Sequence, residues 1–268
     1  MKQILWFRRD LRVNDSAILS FAKDEVLPIF IFDKNILDKL QEDDKRVTFI
    51  YKSVLKLKED LKNLGLNLAV FYSTPKEVFE GFKNQGFDSV LCSVDFDDYA
   101  KKRDEEIAKI IPMQTFFDSF ITHPNDCLKA DKTPYKVFTP YYKNLEFIWN
   151  SYRLEEFEIN KNLKLISYDF DFIPTLENMS FIKQTLPDFL QKNPDELLKD
   201  FEQKIDNYKI DRDFFDKNAT SNLAVHLRFG LISARQVFNK IKELKARTEN
   251  KEFFIRELFW REFYNYIL

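Results

Sequence analysis

The pattern that most restricts what this chain can fold into is an alternation along residues 1–118. Continuous apolar runs at residues 4–7, 26–32, 68–72, 90–94 and 114–117 are separated by amphipathic stretches at 17–23, 45–63, 76–84 and 99–110. Strands buried on both faces read as unbroken apolar runs, and the helices between them make the crossovers a parallel sheet requires. The alternation predicts an α/β fold, a doubly wound domain with a five-stranded parallel sheet. Local punctuation supports the helices. Asp15 is predicted to cap the first and Gly65 to stop the second. Thr74, Pro75 and Glu77 supply an N-cap, a first-turn proline and a capping-box acid for the third.

The first strand runs into WFRRDLRVNDSAIL, residues 6–19. In an open α/β sheet a ligand commonly lies at the carboxyl end of such a strand. A phosphate-cradling turn needs glycines so that the backbone can close on the anion. This turn has none, and the 268 residues hold only Gly65, Gly81, Gly86 and Gly230. The charges nearly cancel, to −2 with a pI near 5.9. A whole-molecule basic field for nucleic acid is therefore absent, and any such contact must come from a local patch.

Cys92 and Cys127 have no CxxC spacing and no histidine nearby except His123, so neither a metal site nor a disulfide framework is expected. No apolar run approaches the roughly 20 residues that span a bilayer. The opening MKQILWFRRDLR turns charged too soon for a secretory signal. The chain is expected to be cytoplasmic and without a membrane partner, which leaves the sequons at Asn178 and Asn218 without meaning.

Prolines at 124, 134, 140, 174 and 187 interrupt any period between residues 124 and 187, and YKVFTPYYKNL is aromatic without a repeat. Helical patterning returns at 194–208, 221–229, 233–247 and 251–268. The predicted organisation is an α/β domain over 1–123, a long connector over 124–187 and helices over 188–268. The last helix, KEFFIRELFWREFYNYIL, is apolar on nearly every face and expects neighbours on all sides. Self-association through residues 252–268 is the expected response if the chain supplies none.

Four blocks in order, WFRRDLRVNDSAIL, YKVFTPYYKNL, TSNLAVHLRFGLISARQVF and RELFWREFYNYIL, resemble the DNA photolyase/cryptochrome family across the whole chain. The resemblance implies that the last part is the start of an all-α FAD-binding domain, within which the chain stops, so that the FAD site is incomplete. It implies light-driven repair of cyclobutane pyrimidine dimers in UV-damaged DNA, by electron transfer from reduced FAD, and hence a deoxyribodipyrimidine photo-lyase. In that family the first turn binds no phosphate; Arg8, Arg9, Asp10 and Arg12 are implied to be structural ties.

By the same resemblance Thr220, Ser221, Asn222, Leu223 and Ala224 meet the FAD diphosphate at a helix start, with Tyr208 alongside. The usual Thr-Ser-Arg-Leu-Ser is altered here: Asn222 stands for the arginine and Ala224 for the second serine, which removes two side-chain donors. Arg212 matches an arginine on the DNA backbone, a contact that positions without reading sequence. Glu257 matches the carboxyl group that hydrogen-bonds the dimer, and Trp260 the indole that stacks on it. Arg261 and Tyr264 complete the implied DNA-facing set. Read without the resemblance, Thr220 and Ser221 are a helix cap, Arg212 a solvated charge and Trp260 a core aromatic.

Folate-binding members carry an Asn-Glu pair after the fourth strand where this chain has Tyr99-Ala100, which disfavours a methenyltetrahydrofolate antenna and leaves the antenna chromophore unknown. The purified chain is expected to be nearly colourless. A cryptochrome-like blue-light sensor and a non-catalytic remnant acting as a binding module are the alternatives. Glu257 and Trp260, which read a lesion, favour repair over sensing.

Overall fold

The computed structural model describes residues 1–267 and divides into two compact units. The first comprises Met1–Asp118, Phe157–Leu190 and Phe229–Leu231; the second comprises Ser119–Glu156, Gln191–Arg228 and residues 232–267.

In the first unit, strands β1 (Lys2–Phe7), β2 (Glu25–Asp33), β3 (Ala69–Ser73), β4 (Ser89–Ser93) and β5 (Met113–Phe116) are all parallel, in the order β3-β2-β1-β4-β5. A short β6 (Lys164–Leu165) joins the start of β2, pairing Glu25 with Lys164 and Val26 with Leu165, ahead of the point where β3 begins. Helices α1 (Ala17–Phe21), α2 (Lys34–Leu37), α3 (Lys45–Asn63), α4 (Pro75–Phe82) and α5 (Asp98–Ala108) lie between the strands. The apolar runs are continuous because successive side chains serve opposite faces. Leu5 and Phe7 join one core cluster, with Val26, Phe30 and Phe32. Ile4 and Trp6 join the other, with Leu27, Ile29 and Ile31. The doubly wound five-stranded sheet expected from the sequence is the sheet observed.

Helix starts follow the side chains that cap them, with one exception. Thr74 and Glu77 form the expected capping box on α4, with Pro75 in its first turn. Gly65 sits at φ 75 directly after the C-cap of α3, the left-handed stop that glycine adopts without strain. Asp15, however, does not cap α1. Ser16 is the N-cap, while Asp15 takes a left-handed φ of 50 and its carboxylate accepts the Phe157 N–H at 2.7 Å. A long-range backbone donor has won the carboxylate over the local one.

The glycine-free turn after β1 is a knot of internal ties. Arg8 pairs with Asp104 of α5 at 2.6 Å, donates to the Ser93 carbonyl and lies over the Trp6 ring at 4.8 Å. Arg9 pairs with Asp95 at 2.8 Å and Asp97 at 3.2 Å. Asp10 is fully buried, accepting from Arg8 N and from the Ser93 hydroxyl, each at 2.6 Å. Arg12 pairs with Asp118 at 2.6 Å and donates to the carbonyls of Asp15 and Gly230. Gly230 is held at φ 68, and a Cβ there would come within 2.1 Å of the Arg9 carbonyl oxygen, so only glycine lets the two backbones approach. Strand order reverses between β1 and β4, where an open sheet usually admits a ligand; here charged side chains knit those strand ends together.

The chain enters the second unit through the single turn α8 (Asp188–Gln191). The unit is helical, with α6 (Phe138–Asn144), α7 (Glu146–Trp149), α9 (Pro194–Glu202), α10 (Tyr208–Asp211), α11 (Ala224–Phe229, its last residue in the first unit), α12 (Ala234–Glu243) and α13 (Thr248–Tyr266). Capping boxes start α9 (Asn193 with Glu196) and α12 (Ser233 with Gln236). Helix α13 is the axis of the core. Phe254, Ile255, Leu258, Phe259, Glu262 and Phe263 are its buried stripe, and α6, α10 and α12 pack on it. The expectation that this helix lacks neighbours is corrected: Phe138, Tyr141 and Tyr142 of α6 meet Phe259, Trp260, Phe263 and Tyr266. The aperiodic aromatic run is the cover. Tyr264 and Ile267 remain exposed, and Leu268 lies outside the described residues.

Candidate functional site

The implied site residues fall on three segments of the second unit: α10 with the turn after it, the approach to α11, and α13. Helices α10 and α13 are clamped together by Asn250. Its side chain accepts from Lys209 N at 2.9 Å and donates to the Asp206 carbonyl at 2.8 Å, while Arg247 N donates to Asp206 at 2.9 Å. The clamp sets Tyr208 and Arg212 against the second turn of α13. Tyr208 is buried edge-on between Phe201 (5.3 Å) and Phe254 (5.5 Å), and burial pushes its phenol above the ordinary value.

Arg212 lies over the Tyr208 ring at 5.9 Å and makes a hydrogen-bonded ion pair with Glu257. That hydrogen bond is the main reason the guanidinium is held above its ordinary pKa. Both side chains keep contact with water, 28% exposed for Arg212 and 36% for Glu257. Two residues picked separately by resemblance thus form one exposed charge pair.

Trp260 sits one turn along, half-buried. Phe138 stacks flat on its indole, with centroids 3.7 Å apart and planes at 9°, while Tyr264 and Phe263 flank it at 5.6 and 5.9 Å. The stack continues from Phe138 to Tyr142 at 5.4 Å and from Tyr142 to Trp149 at 5.2 Å, with the Arg256 guanidinium over Phe138 and Tyr142. Offset or stacked rings at these spacings are favourable beyond their buried area. Phe138, Tyr142 and Trp149 had no signal in the sequence beyond their aromatic character.

Arg261 faces inward. It donates to the carbonyls of Ser119 (2.9 Å) and Leu227 (3.3 Å) and lies over the Phe120 ring at 4.3 Å. Three carbonyl and ring contacts make it a brace of the unit, in contrast with Tyr264, which is 59% exposed.

The segment implied for the diphosphate differs from a simple helix start. Helix α11 begins at Ala224, so Thr220 and Ser221 do not open it. Asn222 adopts a left-handed φ of 57, which breaks the helical path, and asparagine tolerates that region far better than arginine does. Side chains fold back locally instead: Ser221 Oγ accepts from Leu223 N at 3.4 Å, and the Thr220 hydroxyl donates to Asn222 Oδ1 at 3.2 Å. Leu223 is buried and its carbonyl accepts from Leu227 N at 2.9 Å. Among the described residues no hydrogen bond or ring contact joins this segment to Tyr208.

Glu262 was not anticipated. It is 2% exposed, accepts from Ile121 N (2.8 Å), Thr122 N (3.1 Å) and the Thr122 hydroxyl (3.3 Å), and burial pushes its carboxyl up to about 7. Its position in the apolar stripe between Phe259 and Phe263 was the signal available.

In the first unit, Tyr99 donates its hydroxyl to Asp33 at the carboxyl end of β2 and accepts from Asn35 at 3.3 Å; burial, reinforced by Asp33, pushes the phenol to about 12. Among the described residues no His, Cys, Asp and Glu cluster could hold a metal, and no helix is long and apolar enough to cross a membrane.

Comparison with known proteins decides the lineage. The sequence profile of the family described as DNA photolyase matches residues 3–157, more than half of the chain. The chain belongs to the DNA photolyase family. A deoxyribodipyrimidine photo-lyase of Alkalihalophilus pseudofirmus is 29% identical over 98% of this chain and 58% of that protein. An archaeal photolyase from Sulfolobus tokodaii, whose structure contains two FAD molecules, superposes with a TM-score of 0.77 at 27% identity, over 99% of this chain and 59% of that one. A cryptochrome from Synechocystis shares the fold, with a TM-score of 0.83 at 18% identity, over 100% of this chain and 61% of that one. This photolyase-family chain spans about three fifths of the length of the curated relatives it matches.

Proposed function

We propose that this photolyase-family chain acts in light-driven repair of cyclobutane pyrimidine dimers in DNA, with its second unit contributing to both the FAD site and the lesion site. The observation that supports this best is the adjacency on α13 of a carboxylate, Glu257, and an indole, Trp260, with the Arg212 cation hydrogen-bonded to that carboxylate. A damaged base swung out of the duplex needs an acceptor for its imide N–H, a flat surface to stack on and a cation for its phosphate. Glu257, Trp260 and Arg212 offer these three in turn. Arg212 positions the strand without reading sequence. Tyr264, exposed beside Trp260, extends the stacking surface, while Arg261 braces it from within.

Residues 220–224 fit a diphosphate by their donor set. Two hydroxyls, an amide side chain and the backbone N–H groups at a helix start stand together, and the segment holds no carboxylate. Thr220, Ser221 and Asn222 would hold the phosphates and Leu223 and Ala224 the adjoining backbone, with Tyr208 supporting the site from the core. Reduced FAD, when bound, supplies the photoexcited electron that opens the cyclobutane ring. Tyr99, an occupied donor bonded to Asp33, does not offer the acceptor a folate antenna would need.

Repair is tested with oligothymidylate carrying UV-induced dimers, the protein, excess reduced FAD and blue light. The expected result is recovery of thymine absorbance that requires both light and flavin. Tight binding of flavin with a light-induced spectral change, but no repair, would favour the blue-light sensor instead. FAD titration that Ser221→Glu abolishes would support the diphosphate assignment, and titration unaffected by it would remove that assignment.

A further inference from the structure

Both groups assigned to the lesion are engaged by other side chains of the same unit. The Trp260 indole carries Phe138 in face-to-face contact at 3.7 Å, and the Glu257 carboxylate carries the Arg212 guanidinium. Phe138 is the first residue of α6 and follows residues 131–137, which are exposed apart from the half-buried Tyr135. It is nevertheless 4% exposed itself, because the indole, Tyr142 and Phe263 enclose it.

We infer that Phe138 is a specificity-determining residue, a built-in competitor that occupies the place of a base on Trp260 while Arg212 occupies the place of the base's hydrogen bond on Glu257. The inference rests on the lesion-site reading given above. Its physical basis is exchange. A base reaching Trp260 replaces one aromatic contact by another, so the platform yields little net gain to a base that must also leave a good stack in its own strand. A dimer, which stacks and pairs poorly where it is, gives up less on leaving. At the same time a strand phosphate reaching Arg212 replaces one anion by another and releases Glu257 to accept from the base. The competitor therefore suppresses intact bases more strongly than dimers. Discrimination arises from what is displaced as much as from what is touched.

The test measures binding of fluorescein-labelled oligothymidylate, unirradiated or carrying UV dimers, in the dark. Phe138→Leu keeps the volume but removes the flat face; Phe138→Tyr keeps the face. The expected result is that Phe138→Leu binds the unirradiated strand more tightly, lowering the preference for dimers by about tenfold, a change within the range of a single stacking contact. Phe138→Tyr should retain the preference within about twofold on the same grounds. An unchanged preference in Phe138→Leu, or an equal loss in Phe138→Tyr, overturns the inference. A second measurement needs no substitution. The tryptophan-fluorescence change when the unsubstituted protein binds the irradiated strand should reach a plateau rate with strand concentration, set by the departure of Phe138; a rate that rises without limit overturns it. If the unsubstituted protein does not prefer the irradiated strand at all, the lesion-site reading itself fails, and this is seen before any variant is made.

Discussion

The turn after β1 and the face of α13 both set arginines against carboxylates, and they do so in opposite ways. Arg12 and Asp118 have side chains 3% and 0% exposed, with three further carbonyl contacts fixing the guanidinium. Arg212 and Glu257 are 28% and 36% exposed, with one hydrogen bond between them and a neighbouring ring. A buried pair cannot exchange partners, because removing either charge leaves the other without water. An exposed pair is worth little to stability but is free to trade its partner for an incoming phosphate or base. Residue type alone does not separate a tie from a binding group; burial and partner count do.

The comparison is broken most directly at the turn. Arg12→Ala should destabilise the protein by about 3–5 kcal/mol, the usual loss when one member of a buried pair is removed. Gly230→Ala should act at the same place, because its Cβ would meet the Arg9 carbonyl at 2.1 Å from a φ of 68. Urea unfolding measures both. A shift below about 1 kcal/mol for Arg12→Ala would show that the pair is no more than a surface contact.

A smaller effect comes from Glu262, a carboxylate buried like the turn but on the same helix as Glu257. Its folded pKa is near 7 against an ordinary 4.5, so the folded state holds its proton more tightly than the unfolded chain does. Stability is then greatest below 4.5, falls as pH rises towards about 7, and levels off above. The full change is up to about 3 kcal/mol at roughly 1.36 kcal/mol per pKa unit. Glu262→Gln should flatten that slope in unfolding measured across the range. An unchanged slope would mean that the Ile121 and Thr122 donors keep the carboxylate charged.

These effects also mark how far the sequence could be read. The five strands were legible because double-sided burial leaves unbroken apolar runs, and Thr74 and Asn193 cap helices through contacts only three residues long. Asp15 was misread because its carboxylate bonds Phe157, a partner no local pattern reveals. Glu257, Trp260 and Arg212 were found by resemblance, yet their pairing depends on the Asn250 clamp between α10 and α13. The cover of α13 was missed for a related reason. Phe138, Tyr141 and Tyr142 match the surface of another helix, and such a match has no period of its own.

The smallest expected effect on stability is the one that sharpens the comparison furthest. Arg212→Ala should cost less than about 1 kcal/mol in unfolding, since an exposed ion pair gains little over its solvated parts. The ring contact with Tyr208 adds little to that figure, because Tyr208 is held by Phe201 and Phe254. Binding should respond differently. Loss of the phosphate contact should weaken irradiated and unirradiated strands alike and reduce the slope of log affinity against log salt by about one. Glu257→Gln should leave that slope in place and lower the preference for dimers, because the amide still bonds the base but no longer as a charged acceptor, a change of about tenfold. Equal effects of the two substitutions on every strand would show that the pair acts as a single structural unit, like Arg12 with Asp118, and would erase the distinction between the two regions.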